Sequence, residues 1–473
     1  MATVTTPSPE QLSQLTTKEL AALSAAVWAT FTPAHIAALT LEQVASLKPT
    51  AFSKLPAELM TAFTPDDLQV LSTSVIKALN TAQIGALTAD EFGQLTPGQV
   101  ASLQPKQLGA MSVDQFSAFS VDQVAQFNPT QVKSLTTDLI AALQPDELAA
   151  LNAKAVAALS ASQVRALSVE QIQALTPDQA AVFTGNQGAG LTADQLTAMA
   201  PEALSALSTA AIRAITATAL TALAPELIQQ FSPSQIAALG AGQITALGSA
   251  GIDALTADQL HGLSSVQIRA LSTTQIGVLS AEDLAALGSR GLASFGSAQI
   301  SSLSAEQVQA LDARQFAGMS SAQSVGLSSL QLAGLSAEAL GAMSTSAIRG
   351  LRNEVISGFS DDQLGALSTR QVASLTSKQI TAFDTGEIIA LSTQQVQAMG
   401  SAQLSALSSK QIAAIELDDV AAINTAAIKG LKGLQIGALA SDQIQAFRTA
   451  QVAAMTSAQL SGLATDQVRA VEN

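Results

Sequence analysis

Cysteine and tyrosine are absent from this sequence, tryptophan occurs once and histidine twice, and aromatic residues make up only 3% of its 473 positions. Without cysteine there is no disulfide framework, no thiolate zinc site and no thiol redox chemistry. The two histidines, His35 and His261, have neither a cysteine nor a second histidine nearby in sequence, so no ligand set and no Ser-His-Asp constellation is visible. Both read as incidental. Basic residues are also scarce: 21 Lys and Arg stand against 36 Asp and Glu, a net charge of −15. Such a chain is a poor ligand for phosphate backbones, which excludes nucleic acid as the expected partner. Polar residues interrupt every apolar run well short of the ~20 residues a membrane-spanning helix needs, so no membrane insertion is expected. The start, MATVTTPSPEQ, has neither the basic nor the apolar region of a classical signal peptide. No Gly-rich nucleotide loop and no calcium-type acidic loop occurs. These absences lead to the expectation of a soluble protein that is not an enzyme, with no catalytic, cofactor-binding or metal-binding residues and no cofactor.

What is present is a repeat. From Ser8 to Val471 the sequence divides without insertion or deletion into 58 octapeptide units, as in SASQVRAL SVEQIQAL from Ser160 to Leu175. Each first slot falls on a residue number divisible by eight. Slot one is Ser, Thr, Asn, Asp or Gly in 46 units, the residues that helix N-caps favour. Slot four is Gln in 34 units, which gives the spacing of a capping box, where cap oxygen and Gln amide satisfy each other's backbone N–H. Of 14 prolines, 12 sit in slot two, the first helical residue, where proline is tolerated; Pro7 precedes the repeats and Pro56 occupies a cap slot. A helix therefore restarts every eight residues.

One continuous helix would wind its apolar stripe around the axis by about 80° per unit, so the pattern instead predicts helices of about one and a half turns separated by sharp corners. Slot eight is large and apolar in all 58 units and slot five in 55, and their i, i+3 spacing places both on one face. They form the expected interior. Slot seven is mostly Ala, Gly or Ser, small enough for adjacent coils to approach closely, and slot six accepts Lys77, Lys133, Arg165, Arg213 and Arg269, which marks it as solvent-facing. Two buried side chains cannot offset the ordering of eight residues, so stability must be shared among neighbouring units. The predicted fold is all-α, a short-repeat α-solenoid with three or four helices per coil. Its expected layout is a disordered segment at 1–7, one solenoid over 8–471 and a tail at 472–473.

Ala180, Gly188 and Ser324 break the column of large slot-five residues. The first two lie in adjacent units and mark a hinge, a place of close packing, or tolerated drift. The acids have a local explanation: 30 of 36 occupy slots three and four, the first helical turn, where they complement the helix dipole.

Units such as LTADQLTAM (191–199), LSTTQIGVL (271–279) and LSSKQIAAI (407–415) resemble the octapeptide arrays of large bacterial secreted or surface proteins of the adhesin-like or haem-utilisation-like kind. The resemblance spans Ser8 to Val471 and implies a repeat protein of the extracellular space or cell surface. It transfers no haem site, since paired His, Cys or Tyr ligands are missing. A structural role as filament subunit, stalk or adhesin spacer follows from it. SPEQLSQL at the first unit and ATDQVRAV at the last keep apolar residues in slots five and eight, which suggests end-to-end self-association or continuation of a larger repeat protein. The other reading is a solenoid that binds a protein or glycan partner.

Overall fold

A computed structural model describes residues 6–471. Among them every regular element is helical, and the order follows the octads: 56 short α-helices and one 3₁₀ helix, Ala57–Ala62. The chain is a short-repeat α-solenoid. Helices run from four to six residues in nearly all units, each starting after an extended cap residue. Thr96, for example, has φ −67° and ψ 152° before the helix Pro97–Ser102. The 3₁₀ element follows Pro56, the proline that displaces a cap; with Leu59 rather than Gln in slot four, neither half of a capping box is available.

The chain divides into two compact units, Met1–Ala246 and Leu247–Asn473. Within the first, each helix packs on the third one before and the third one after it: Pro129–Ser134 lies between Pro105–Leu108 and Ala153–Val156. The second follows the same rule, with Ser401–Ala406 between Ser377–Ile380 and Thr425–Ile428. A coil therefore closes in three octads. Slots five and eight are buried away from the first and last units, as Ile172 (0% exposed) and Leu175 (3%) show, and Lys77, Lys133, Arg165, Arg213 and Arg269 in slot six are exposed.

Small residues meet where coils touch. A Cβ added to Gly326 in slot seven would lie 2.3 Å from the carbonyl oxygen of Ser297, in slot two one coil below, and Gly350 stands in the same relation to Ser321. At the break in the apolar column the coils close up rather than leave a void. Ala180 and Gly188 are buried, and a Cβ on Gly188 would come within 2.2 Å of the Ala211 oxygen. Ser324 is also fully buried, and its hydroxyl donates to the carbonyl of Ser320 at 3.0 Å.

Two corners are built differently. Gly248 and Gly288 have φ of +67° and +63°, the left-handed region that glycine enters without steric cost. Their units carry Gly251 and Gly291 in slot four, so no side chain accepts the cap N–H, and the corner turns through the backbone alone. Where a cap glycine is followed by Gln in slot four, as at Gly296 (φ −82°) and Gly400 (φ −91°), the ordinary extended cap is kept. The expected disordered segment and tail fall on 1–7 and 472–473; residues 1–5 and 472–473 lie outside the described residues. Thr6 and Pro7 are engaged, the former with the hydroxyl of Thr30 and the latter through its carbonyl with His35.

Candidate functional site

The repeated functional element is the slot-four glutamine, and it does more than cap. In the unit starting at Ser168, the backbone N–H of Ser168 donates to Gln171 Oε1 at 2.7 Å, and Gln171 N–H donates to Ser168 Oγ at 3.2 Å. That is the capping box. The other end of the amide, Nε2, donates to the carbonyls of Ile140 at 2.9 Å and Leu143 at 2.6 Å. Those carbonyls belong to slots five and eight four units earlier, at the end of a short helix, where helical donors run out and Ile140 accepts only the Leu143 N–H at 3.3 Å from its own unit. One side chain therefore completes the start of its own helix and the end of another on the neighbouring coil.

The arrangement repeats along both units of the chain. Gln99 Nε2 reaches Leu68 and Leu71 at 2.7 Å each, Gln235 reaches Leu204 at 3.1 Å and Leu207 at 2.8 Å, and Gln395 reaches Leu364 and Leu367 at 2.7 Å each. The amides are buried, Gln171 to 1% and Gln395 to 2% exposure, which is tolerable because donors and acceptor alike are satisfied. The Oε1 half persists where the cap has no polar side chain: Gly240 N–H donates to Gln243 at 2.7 Å and Ala440 N–H to Gln443 at 2.8 Å.

His35 is not incidental; it replaces a glutamine of this ladder. Its Nδ1 accepts the Thr32 backbone N–H at 3.1 Å, and its Nε2 bonds to the carbonyl of Pro7 at 3.1 Å, the same 28-residue separation as Gln171 to Leu143. The two nitrogens of the imidazole are spaced to serve both ends, as the amide oxygen and nitrogen do elsewhere. His261 sits exposed in slot six, 3.3 Å from the Ala286 carbonyl. Trp28 is a core residue, 1% exposed, in contact with Phe31 at a centroid distance of 4.6 Å; its Nε1 is buried without a hydrogen-bond partner among the described residues.

Slot-three acids act as helix-start ligands. Glu10, Glu170 and Glu306 are held below the usual carboxylate range, first by their own backbone N–H and then by the hydroxyls of Ser8, Ser168 and Ser304. Among the described residues no three His, Cys, Asp or Glu side chains converge on a position that could hold a metal ion. No helix among them is long and apolar enough to cross a membrane.

The ladder gives each coil two unlike faces, one with outward amide donors and one with outward carbonyls. In the first coil Gln11 is exposed and, among the described residues, makes only its intra-unit bonds, accepting Ser8 N–H at 2.9 Å, beside the half-buried Leu15 and Leu23. In the last units Leu460 and Val468 are 42% and 43% exposed, and Ile444, Phe447, Val452 and Ala470 line a cleft of about 580 Å³.

Six stretches match the ALTTAQ repeat family. They are residues 60–97, 140–177, 257–289, 281–313, 380–414 and 412–449, together under half of the chain, and they show a tandem-repeat protein. No curated protein matches the chain.

Proposed function

We propose that this chain is a non-catalytic structural repeat protein of the bacterial surface or extracellular space, serving as a filament subunit, stalk or adhesin spacer that associates end to end. The observation that carries the reading is the polarity of the glutamine ladder within each unit: slot-four amides donate to the preceding coil, slot-five and slot-eight carbonyls accept from the following one, and Gln11, Leu460 and Val468 are left exposed. A second copy of the chain, or further octads of the same kind, would meet either face with the bonds and side chains already used between internal coils. The extracellular setting is supported by the resemblance of the octads to bacterial surface arrays and by a composition rich in Ala, Ser, Thr, Gln and Leu.

Negative-stain electron microscopy of the purified chain over a concentration series, with light scattering on the same samples, tests this. The proposal expects filaments of constant width whose length grows with concentration. Particles of one fixed length at every concentration would overturn end-to-end association.

A further inference from the structure

Seven units carry an acid in place of glutamine in slot four: Glu19, Asp67, Glu91, Glu147, Asp283, Glu387 and Asp419. A carboxylate can accept the cap N–H as glutamine does, but it has no proton for the carbonyls of the next coil. At Glu387 the consequence is visible. Its Oε2 accepts the Asp384 backbone N–H at 2.6 Å, and its own N–H donates to Asp384 Oδ1 at 2.8 Å. Among the described residues its Oε1 is buried without any hydrogen-bond partner, in a side chain only 8% exposed.

The flanking units of the ladder show what that oxygen faces. Gln379 Nε2 donates to Ile348 and Leu351 at 2.9 and 2.8 Å, and Gln395 Nε2 to Leu364 and Leu367 at 2.7 Å each. The same register assigns Glu387 the carbonyls of Ile356 and Phe359. An ionised carboxylate in that position sets oxygen against oxygen in a dry place, whereas a carboxylic acid presents a hydroxyl where the amide nitrogen otherwise stands. We infer that Glu387 is a proton-binding site: in the folded array it is a neutral acid whose hydroxyl donates to one carbonyl of this pair, so that the coil-to-coil clasp engages on protonation and loosens on ionisation.

A proton suits this position better than a metal ion. The slot holds a nitrogen 2.7–2.9 Å from its carbonyls in both neighbouring units, while calcium takes six or more oxygens at about 2.3–2.6 Å. The charged groups around Glu387 are Asp384 in its own cap and Asp361 from the helix Asp361–Ala366, both of which oppose ionisation. Lys410, on the helix Ser409–Ala413 packed against it, lines an open cleft with Asp384. Arg352 and Glu354, on the corner and helix that supply the carbonyls, pair with each other at 3.2 Å. Burial, then these acids, hold Glu387 above the usual carboxylate range.

Glu147 is a second buried acid in the same slot. Its Oε2 accepts the Gln144 N–H at 2.7 Å, its register points to the carbonyls of Phe116 and Phe119, and burial, with Asp146 beside it, raises it likewise. The helices packed on it and the one supplying the carbonyls carry Asp122, Glu170 and Asp114. A group raised on folding stabilises below the ordinary carboxylate range, and that contribution is lost as pH rises through its folded value.

The test compares the wild-type chain with the E147Q/E387Q variant, in which both slots receive the residue native to 34 others. At pH 8 the variant should melt higher by ~2 °C or more, and at pH 5 the difference should shrink towards zero. Infrared difference spectra at pH 6 should contain a protonated-carboxyl C=O band in the wild type that the variant lacks. An equal offset at both pH values, no offset at either, or no such band would overturn the inference.

Discussion

Gln171 Nε2 donates to the carbonyl of Ile140 across 31 residues of sequence at 2.9 Å, while its Oε1 accepts the N–H of Ser168 in its own unit at 2.7 Å. This double engagement turns a string of octads into a stack, because each helix start is tied to a helix end on the adjoining coil. Hydrophobic burial at slots five and eight is non-directional, so the amide supplies the register.

Replacing Gln171 by Ala removes the acceptor for the partly buried Ser168 N–H and a donor for two buried carbonyls, leaving Ile140 only the 3.3 Å bond from the Leu143 N–H. The expected cost is ~2–4 kcal/mol, dominated by the groups left unsatisfied. Urea denaturation should show a lower midpoint, and hydrogen exchange should accelerate around both Ile140–Leu143 and Ser168–Ile172.

His35 offers a complementary substitution. Gln restores the amide used by the other units, so H35Q should leave stability within ~0.5 kcal/mol of wild type, whereas H35A should lose ~0.5–1.5 kcal/mol with the bonds to the exposed Thr32 N–H and the partly buried Pro7 carbonyl. Thermal melts of the two variants separate these outcomes.

Caps, prolines and the slot-five and slot-eight columns made helix starts, helix lengths and the buried face legible in the sequence. The second task of slot four was not, since a capping box accepts Glu and Gln alike and the carbonyls concerned lie 28 and 31 residues away. The available signal was the preference itself, 34 glutamines against seven acids: an amide also donates, and an ionised carboxylate does not. His35 was obscured for the same reason. Three helices per coil were not readable either, because the corner angle is fixed by meetings such as Gly326 with Ser297, which join distant units rather than residues of one octad.

Glycine positions should respond in opposite directions. Gly188 has no room for a methyl group against Ala211, so G188A should destabilise by ~1–3 kcal/mol. Gly85, inside the helix Thr81–Ala86, has open space at its Cβ position, and G85A should stabilise by ~0.5–1 kcal/mol. Denaturant midpoints of the two variants should move to either side of wild type.

Acidification should act through slot three. Glu170 and Glu306 lie below the usual carboxylate range when folded, so what they contribute is present above their unfolded value and disappears as pH falls through the folded one. The E170Q/E306Q variant should therefore show a shallower loss of stability than wild type between about pH 5 and pH 3, measured by melts across that range.

The absence of native cysteine makes paired thiols a clean probe of the three-unit coil. A Cβ on Gly358 lies 3.7 Å from that of Ser329, one coil of three units away, within the span a disulfide bridges. Under mild oxidation the S329C/G358C variant should cross-link rapidly and nearly completely, while S321C/G358C, the pair that a four-unit coil would bring together, should remain reduced. Rapid closure of the S321C/G358C pair with S329C/G358C left open would contradict the three-unit coil and the glutamine register built on it.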